Sequence, residues 1–363
     1  MKSLVTIIGW CICLSAVAQI SDTSGKQKTT AIQLSGYAEI YYQQNSNGPL
    51  TNNGSAFVYS HDENKALSIN LAFAKAAFNK DRVRANLALG FGSYMRANYA
   101  GEDGIYKQIL EANIGWKLSQ HSNLWIDAGV FTSHIGFESA ISKDCWSLSR
   151  SIAADNSPYF ETGAKLSYTS PNEKWFLSAL ILTGWQRIQM LNGNTSPSFG
   201  HQIQYKPNNK WTINSSSFIG NPTAGIHGVT RYFHNFYAIY QWSNRLGLIG
   251  GVDVGLQKNS HTNRGQIWYT PVFMLQYTVN HYMKFALRTE SYQDGNGVII
   301  TTGTPQGFRV NGISLNADWA INKHLLWRVE FKQLKSRDFI FTNQNNTPTQ
   351  NLFSAITSLA VSF

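Results

Sequence analysis

The chain has 363 residues, with 30 Lys and Arg against 20 Asp and Glu and a formal net charge of +10. Charged residues make up only 14% of it, where ordinary globular proteins carry about 25%, while aromatic residues reach 13% with 11 Trp and 17 Tyr. That pairing excludes disorder and a coiled coil, and no run after the N-terminus approaches the ~20 apolar residues that a spanning helix needs.

Met1 and Lys2, the apolar run from Leu4 to Val17, and the small residues Ala16-Val17-Ala18 before Gln19 predict a cleaved secretory signal peptide over 1–18, followed by a polar segment over 19–31. Cleavage removes Cys11 and Cys13 and leaves Cys145 as a single thiol, so intramolecular disulfides are not expected. An exported basic chain is expected to face anionic lipid headgroups or anionic solutes rather than nucleic acid.

From Ile32 to Phe363 one unit repeats: about ten residues of alternating apolar and polar character, then a connection. Seven connections are short, at 80–82, 119–121, 170–173, 207–209, 243–245, 279–281 and 321–323, and carry Asn, Asp, Ser or Pro suited to tight antiparallel turns. Between them lie eight longer polar segments near 43–64, 95–105, 134–160, 186–197, 219–230, 257–264, 293–307 and 335–351. Fifteen connections predict sixteen strands. An even strand number with short turns at one end and long loops at the other predicts an all-β fold, a transmembrane antiparallel β-barrel over 32–363, closed because hydrocarbon cannot satisfy an open edge.

The alternation agrees. In Trp327-Arg328-Val329-Glu330-Phe331-Lys332 the apolar set would face lipid and the polar set a wet interior, and Met283-Lys284-Phe285-Ala286-Leu287-Arg288 reads the same way. Trp116, Tyr168, Trp175, Tyr205, Trp211, Trp242, Tyr277 and Trp319 all lie near the short turns, as an aromatic girdle at a membrane interface would. Lys75 and His201 fall on the lipid side by simple parity, which predicts either an interfacial position or a bulge that shifts the register.

The segment Gly129-Val130-Phe131-Thr132-Ser133-His134-Ile135-Gly136-Phe137-Glu138, with Ser149-Arg150-Ser151 and Pro158-Tyr159-Phe160-Glu161-Thr162-Gly163 after it, resembles the OmpL-like outer-membrane β-barrel porin family. The ending Ser358-Leu359-Ala360-Val361-Ser362-Phe363 is similar to the terminal-aromatic signal read by the barrel assembly machinery. The resemblance implies a channel in the outer membrane of a Gram-negative bacterium and little about its solute; the expected partners are outer-membrane lipids and lipopolysaccharide and small hydrophilic solutes, with a homotrimer as one option. It departs from the family where Asp144-Cys145-Trp146 stands in place of an Asn before the Ser-Arg run.

Sixteen strands leave room for an aqueous channel. By parity the wall carries Arg84, Arg96, Lys117, Lys165, Arg231, Lys284, Arg288, Arg328 and Lys332 against Glu39, Glu111, Asp127, Glu161, Asp253, Glu290, Asp318 and Glu330. Nearly equal numbers predict a mixed field with weak charge selectivity, or cross-strand pairing for stability. By analogy with general porins, the long connection near 134–160 is the constriction loop, with Glu138, Lys143, Asp144, Arg150 and Asp155 at the narrowest zone; Trp146 and Tyr159 would pack that loop to the wall, the favoured role, or meet a sugar ring. No HExxH or Cys/His spacing marks a metal, Gly247, Gly250, Gly251 and Gly255 have no following helix to make a nucleotide site, and Asp294-Gly295-Asn296-Gly297 lacks the closing Glu of a calcium loop. The expectation is a non-enzymatic passive porin with no cofactor and no metal. The alternatives are a barrel-anchored surface binding protein and an outer-membrane hydrolase, both acting through the long loops.

Overall fold

The computed structural model describes residues 31–46, 55–193, 196–223, 228–259, 264–343, 345 and 347–363. The expected signal peptide and all but the last residue of the polar segment after it lie outside the described residues, as do parts of several long connections.

Sixteen antiparallel strands form one closed barrel. They are β1 (Ile32–Asn45), β2 (Leu67–Lys80), β3 (Val83–Phe91), β4 (Ile109–Lys117), β5 (Asn123–Thr132), β6 (Phe160–Thr169), β7 (Trp175–Leu182), β8 (Ser198–Tyr205), β9 (Trp211–Gly220), β10 (Val229–Gln241), β11 (Leu246–Asn259), β12 (Arg264–Thr278), β13 (Met283–Asp294), β14 (Phe308–Ala320), β15 (Leu325–Ser336) and a C-terminal strand, Asn351–Ser362. Each strand pairs with its sequence neighbours, and the C-terminal strand pairs with β1 to close the sheet. The seam ends in two backbone hydrogen bonds between Gly36 and Phe363, at 3.0 and 3.1 Å, so the terminal residue is part of the closure. All seven short turns stand where the turn residues place them. The connection near 257–264 is shorter than expected, because β11 runs to Asn259 and β12 starts at Arg264.

The period of two sorts side chains as it does in any strand, with lipid as one solvent. Leu87, Ile114, Ile181, Phe273 and Phe331 are exposed on the outer face, the surface a bilayer would cover. The aromatic residues near the short turns stack in pairs across neighbouring strands, Trp175 on Tyr205 at 4.2 Å and Trp211 on Tyr240 at 4.1 Å. Lys75 is on the inside, and the cause is a bulge. Glu39 pairs with Leu71 but Ile40 pairs with Ile69, so Asn70 is an extra residue that reverses the parity of β2 beyond it. Lys75 consequently reaches Glu111 of β4 across the inner face, with 2.8 Å to each carboxylate oxygen. His201 meets no such shift and stays on the outer wall.

The interior departs from the wet lumen expected from the alternation. Toward the long-loop end the inward positions are apolar: Phe218, Phe233, Trp268, Tyr292, Phe308 and Leu334 join Phe57, Ile135 and Ile152 from the loops in one buried cluster. Apolar residues on both faces erase the alternation at the tops of the strands. Charged inward residues are concentrated lower down, where they meet the connection after β5.

Candidate channel constriction

Residues 133–159, between β5 and β6, cross the barrel. In the strand order β13 lies eight strands from β5, the diametrically opposed wall. The segment is fastened there by backbone and hydroxyl groups that no sheet partner satisfies and that must find partners once buried. Ile152 N donates to Glu290 of β13 at 2.6 Å, Leu148 N to Asn316 of β14 at 3.0 Å, and Ser149 N and Oγ to Glu330 of β15 at 2.5 and 2.9 Å. Arg328 of β15 donates to the carbonyls of Ser142 and Cys145, and the Ser142 hydroxyl donates to Glu39 of β1. On the way across, Gly136 N donates to Asn235 of β10 at 3.2 Å, and His134 Nε2 lies 2.8 Å from the Ser217 carbonyl of β9.

Two glycines of β11 make room for this crossing. A Cβ on Gly251 would stand 2.8 Å from the Phe137 ring, and one on Gly247 would stand 2.7 Å from the Trp146 indole. These are close approaches that only a residue without a side chain permits.

The five expected constriction residues divide into two groups. Lys143 and Asp144 are partly exposed on a short 3-10 turn and pair with each other at 3.2 Å. Glu138, Arg150 and Asp155 are buried. Glu138 accepts from Ser151 N and Oγ, and its carboxylate lies 3.6 Å from Arg288. Arg150 donates to the carbonyls of Ser139, Leu148 and Ala140, at 2.6, 2.8 and 3.0 Å, so it braces the loop from within instead of facing a solute. Asp155 accepts from the Tyr159 hydroxyl at 3.3 Å. Burial pushes its carboxyl up to about 7, against the opposing pull of Lys332 and Arg150. Trp146 and Tyr159 pack: Tyr159 meets the Tyr94 ring at 5.5 Å, edge to face.

The wall residues also divide. Arg288 collects three carboxylates, Glu138 at 3.6 Å, Glu290 at 3.5 Å and Glu330 at 3.0 Å, and donates to the Ser149 carbonyl. Arg328 grips Asp318 with both carboxylate oxygens, at 2.7 and 2.9 Å. Lys332 pairs with Glu290 at 3.2 Å. These residues hold the loop, and they are buried beneath it instead of lining open water. Arg84 and Asp127 pair at 2.5 Å, with the guanidinium 4.2 Å over Trp125. Lys117 ends β4 close to its turn, Lys284 is exposed near the short-turn end of β13, and Lys165 lies 4.5 Å over Phe131. Arg231 sits between Trp185 and Trp268, at 4.8 and 5.5 Å, and bonds Gln257; Asp253 accepts from Asn235. Glu161 is fully buried with neither carboxylate oxygen hydrogen-bonded.

One expected wall residue is corrected. Arg96 is not on a strand: β3 ends at Phe91, and Arg96 lies on a short helix, α1 (Ser93–Asn98), where it is exposed and pairs with Asp62 and Glu63 at 3.0 and 2.6 Å. Alternation of faces does not extend past the last residue of a strand. An uncharged Asn gives no signal of its own in sequence, so Asn316 is found only in the structure, while Lys75 joins the inner wall through a bulge, one of the two readings its parity allowed. Among the described residues no group of three or more His, Cys, Asp or Glu is placed to hold a metal.

A closed sixteen-stranded barrel with short turns, long loops, an apolar outer wall and one loop laid across its lumen is an outer-membrane channel of the porin class. The chain belongs to the family described as "Putative beta-barrel porin-2, OmpL-like", whose model matches residues 31–363. Solved structures share the fold at low identity. An anion-selective porin from Comamonas acidovorans is 10% identical with a TM-score of 0.60, covering 92% of this chain and 99% of its own. The trimer form of OmpT from Vibrio cholerae is 9% identical with a TM-score of 0.58, covering 92% and 100%. The outer membrane channel DcaP of Acinetobacter baumannii is 10% identical with a TM-score of 0.57, covering 92% and 97%. No curated protein matches this chain in sequence.

Proposed function

We propose that this porin passes small hydrophilic solutes by passive diffusion, with weak charge selectivity and with residues 134–160 as its constriction. The observation that carries the reading is the attachment of that loop to β13, β14 and β15, which obliges any solute to pass beside it. Weak selectivity follows from the pairing of the wall charges. Arg288, Arg328, Arg84 and Lys75 all face carboxylates, which leaves little net field of either sign. The channel reading assigns no catalytic role to any residue. The rival reading, a surface binding protein anchored by its barrel, draws support from the apolar cluster below the long-loop end.

Single-channel recording of the refolded mature protein in a planar bilayer, with a salt gradient and a series of neutral sugars, tests the proposal. Ohmic steps with a sharp sugar-size limit are expected, and deletion of 139–156 should raise both conductance and the size limit. A folded barrel that stays silent would overturn the channel, and a deletion without effect would overturn the constriction.

The signal peptide is cleaved on export, and the strand ending in Phe363 is the segment presented to the assembly machinery. The barrel self-associates as a trimer, the state named for the OmpT trimer form. A polar island on the outer wall is its contact. His201, Ser217 and His234 lie opposite one another on β8, β9 and β10, the Ser217 hydroxyl lies 2.6 Å from His201 Nδ1, and the two imidazoles stand 6.0 Å apart. Such groups are costly against lipid unless protein covers them.

A further inference from the structure

A pocket of about 380 Å³ opens among the long loops at the mouth of the barrel. Its accessible ring is Phe339, 64% exposed; Phe57 and Phe308, meeting edge to face at 4.7 Å, and Phe341 are buried and back the pocket from the core. Its polar side consists of hydroxyls and amides, Thr301, Thr302 and Thr342 among them. Among the described residues no charged side chain lines it, in a chain of net charge +10.

Asn45, at the end of β1, also lines the pocket. It is 95% buried, given its 5% exposure, and its Oδ1 accepts no hydrogen bond. A buried amide oxygen left without a donor costs about 1–3 kcal/mol, and a turn of the amide toward the pocket would let a ligand hydroxyl or N–H supply the missing partner. Asn45, Ser55 and Leu352 line in addition a second, smaller cavity of about 30 Å³, whose other walls include Arg150, Asp155 and Lys332. These three residues therefore form a floor between the mouth pocket and the charged surroundings of the constriction loop.

We propose that the mouth pocket is a binding subsite for a neutral, polyhydroxylated solute, a sugar-like molecule with an apolar C–H face for the Phe339 ring and hydroxyls for Asn45 and the threonines, and that its route inward runs along β1 and the C-terminal strand past Asn45, Ser55 and Leu352. Aromatic faces with a few convergent polar groups and no charge recognise such a molecule, whereas an ionic solute would find no counter-ion here. This inference rests on the porin reading, and it names the solute class.

The test uses maltose and maltotriose as probes and gluconate as the charged comparison, on the full-length mature barrel, its folding checked by heat-modifiable gel mobility. Calorimetry measures binding and single-channel recording measures block. Maltotriose should bind and block, and gluconate should do so less. Phe339→Ala should weaken binding between about twofold and about tenfold, the equivalent of one aromatic contact. Asn45→Leu should weaken it roughly fivefold while Thr212→Val, far from the mouth at the other end of the barrel, leaves it unchanged. Conductance with sugar block indifferent to both Phe339→Ala and Asn45→Leu would overturn the subsite and leave the porin intact. Gluconate binding as tightly as maltotriose would overturn the neutral class. A silent barrel that still binds maltotriose, and binds it more weakly on Phe339→Ala, would overturn the porin and keep the subsite.

Discussion

Arg328→Ala is the most informative single change in the constriction. The guanidinium is fully buried; it holds both oxygens of Asp318 and the carbonyls of Ser142 and Cys145. Truncation leaves the Asp318 carboxylate without its cation, and breaking one partner of a buried pair costs about 3–5 kcal/mol. Two loop carbonyls lose their donor at the same time, adding roughly 1–3 kcal/mol each where water cannot reach them. The loss should be smaller if the loop lifts and lets water in, and lifting is itself observable as higher conductance and open-channel noise. The assay is urea unfolding in detergent beside single-channel recording, on Arg328→Ala, Asp318→Ala and the double variant. The double variant should be the less damaged, because it leaves no unpaired charge. An Arg328→Ala barrel within about 0.5 kcal/mol of the wild type, with unchanged conductance, would refute the view that these charges hold the loop.

Four further outcomes follow from the geometry. Asp155 has its carboxyl raised by burial from the ordinary 3.8 to about 7, so the folded loop holds a proton that the unfolded chain releases; the contribution is full below about pH 3.8 and is lost as pH rises through 7. Channel noise should therefore grow between pH 5 and pH 8, and Asp155→Asn should flatten that dependence; a pH profile identical in the two proteins would contradict it. Glu161→Leu should stabilise the barrel by about 1–3 kcal/mol in urea titration, because it removes two buried oxygens that no donor meets, and an equal loss would reveal a hidden donor. Gly251→Val should displace the Phe137 ring and with it the loop, altering the sugar-size limit, whereas an unchanged limit would mean that Phe137 does not set the loop's height. His201→Leu with His234→Leu should shift the oligomer toward monomer in analytical ultracentrifugation, and an oligomer unaffected by both would move the contact to another face.

Most of the architecture is legible in the order of residues, because a strand between lipid and a lumen obeys a period of two and each reversal needs turn chemistry. Sixteen strands, seven tight turns and the aromatic rim could be read from Asn-, Asp- and Pro-bearing breaks and from the places of Trp175, Trp211 and Trp319. The same rule puts Lys75 against lipid and so signals a bulge or an interfacial place without deciding between them, because the bulge at Asn70 is one residue of backbone geometry with no composition signal, and it carries Arg96 past the end of β3.

For the charged wall residues two roles were legible, a lumen lining or cross-strand pairing, and the fastening of a loop was not. Arg288, Glu290, Arg328 and Glu330 read from sequence as a lumen lining; the structure makes them fasteners for a loop more than a hundred positions away in the chain. Pairing across a barrel depends on which strands close into opposition and where a connection folds, and neither is a local property. The sequence by itself determined that this chain crosses a membrane in alternating strands and roughly where each one ends, since those follow from local hydrophobicity and turn residues. Only the tertiary structure decided what occupies the interior, because the apolar cluster, the buried ion pairs and the uncharged pocket at the mouth come into being when distant residues are brought into contact.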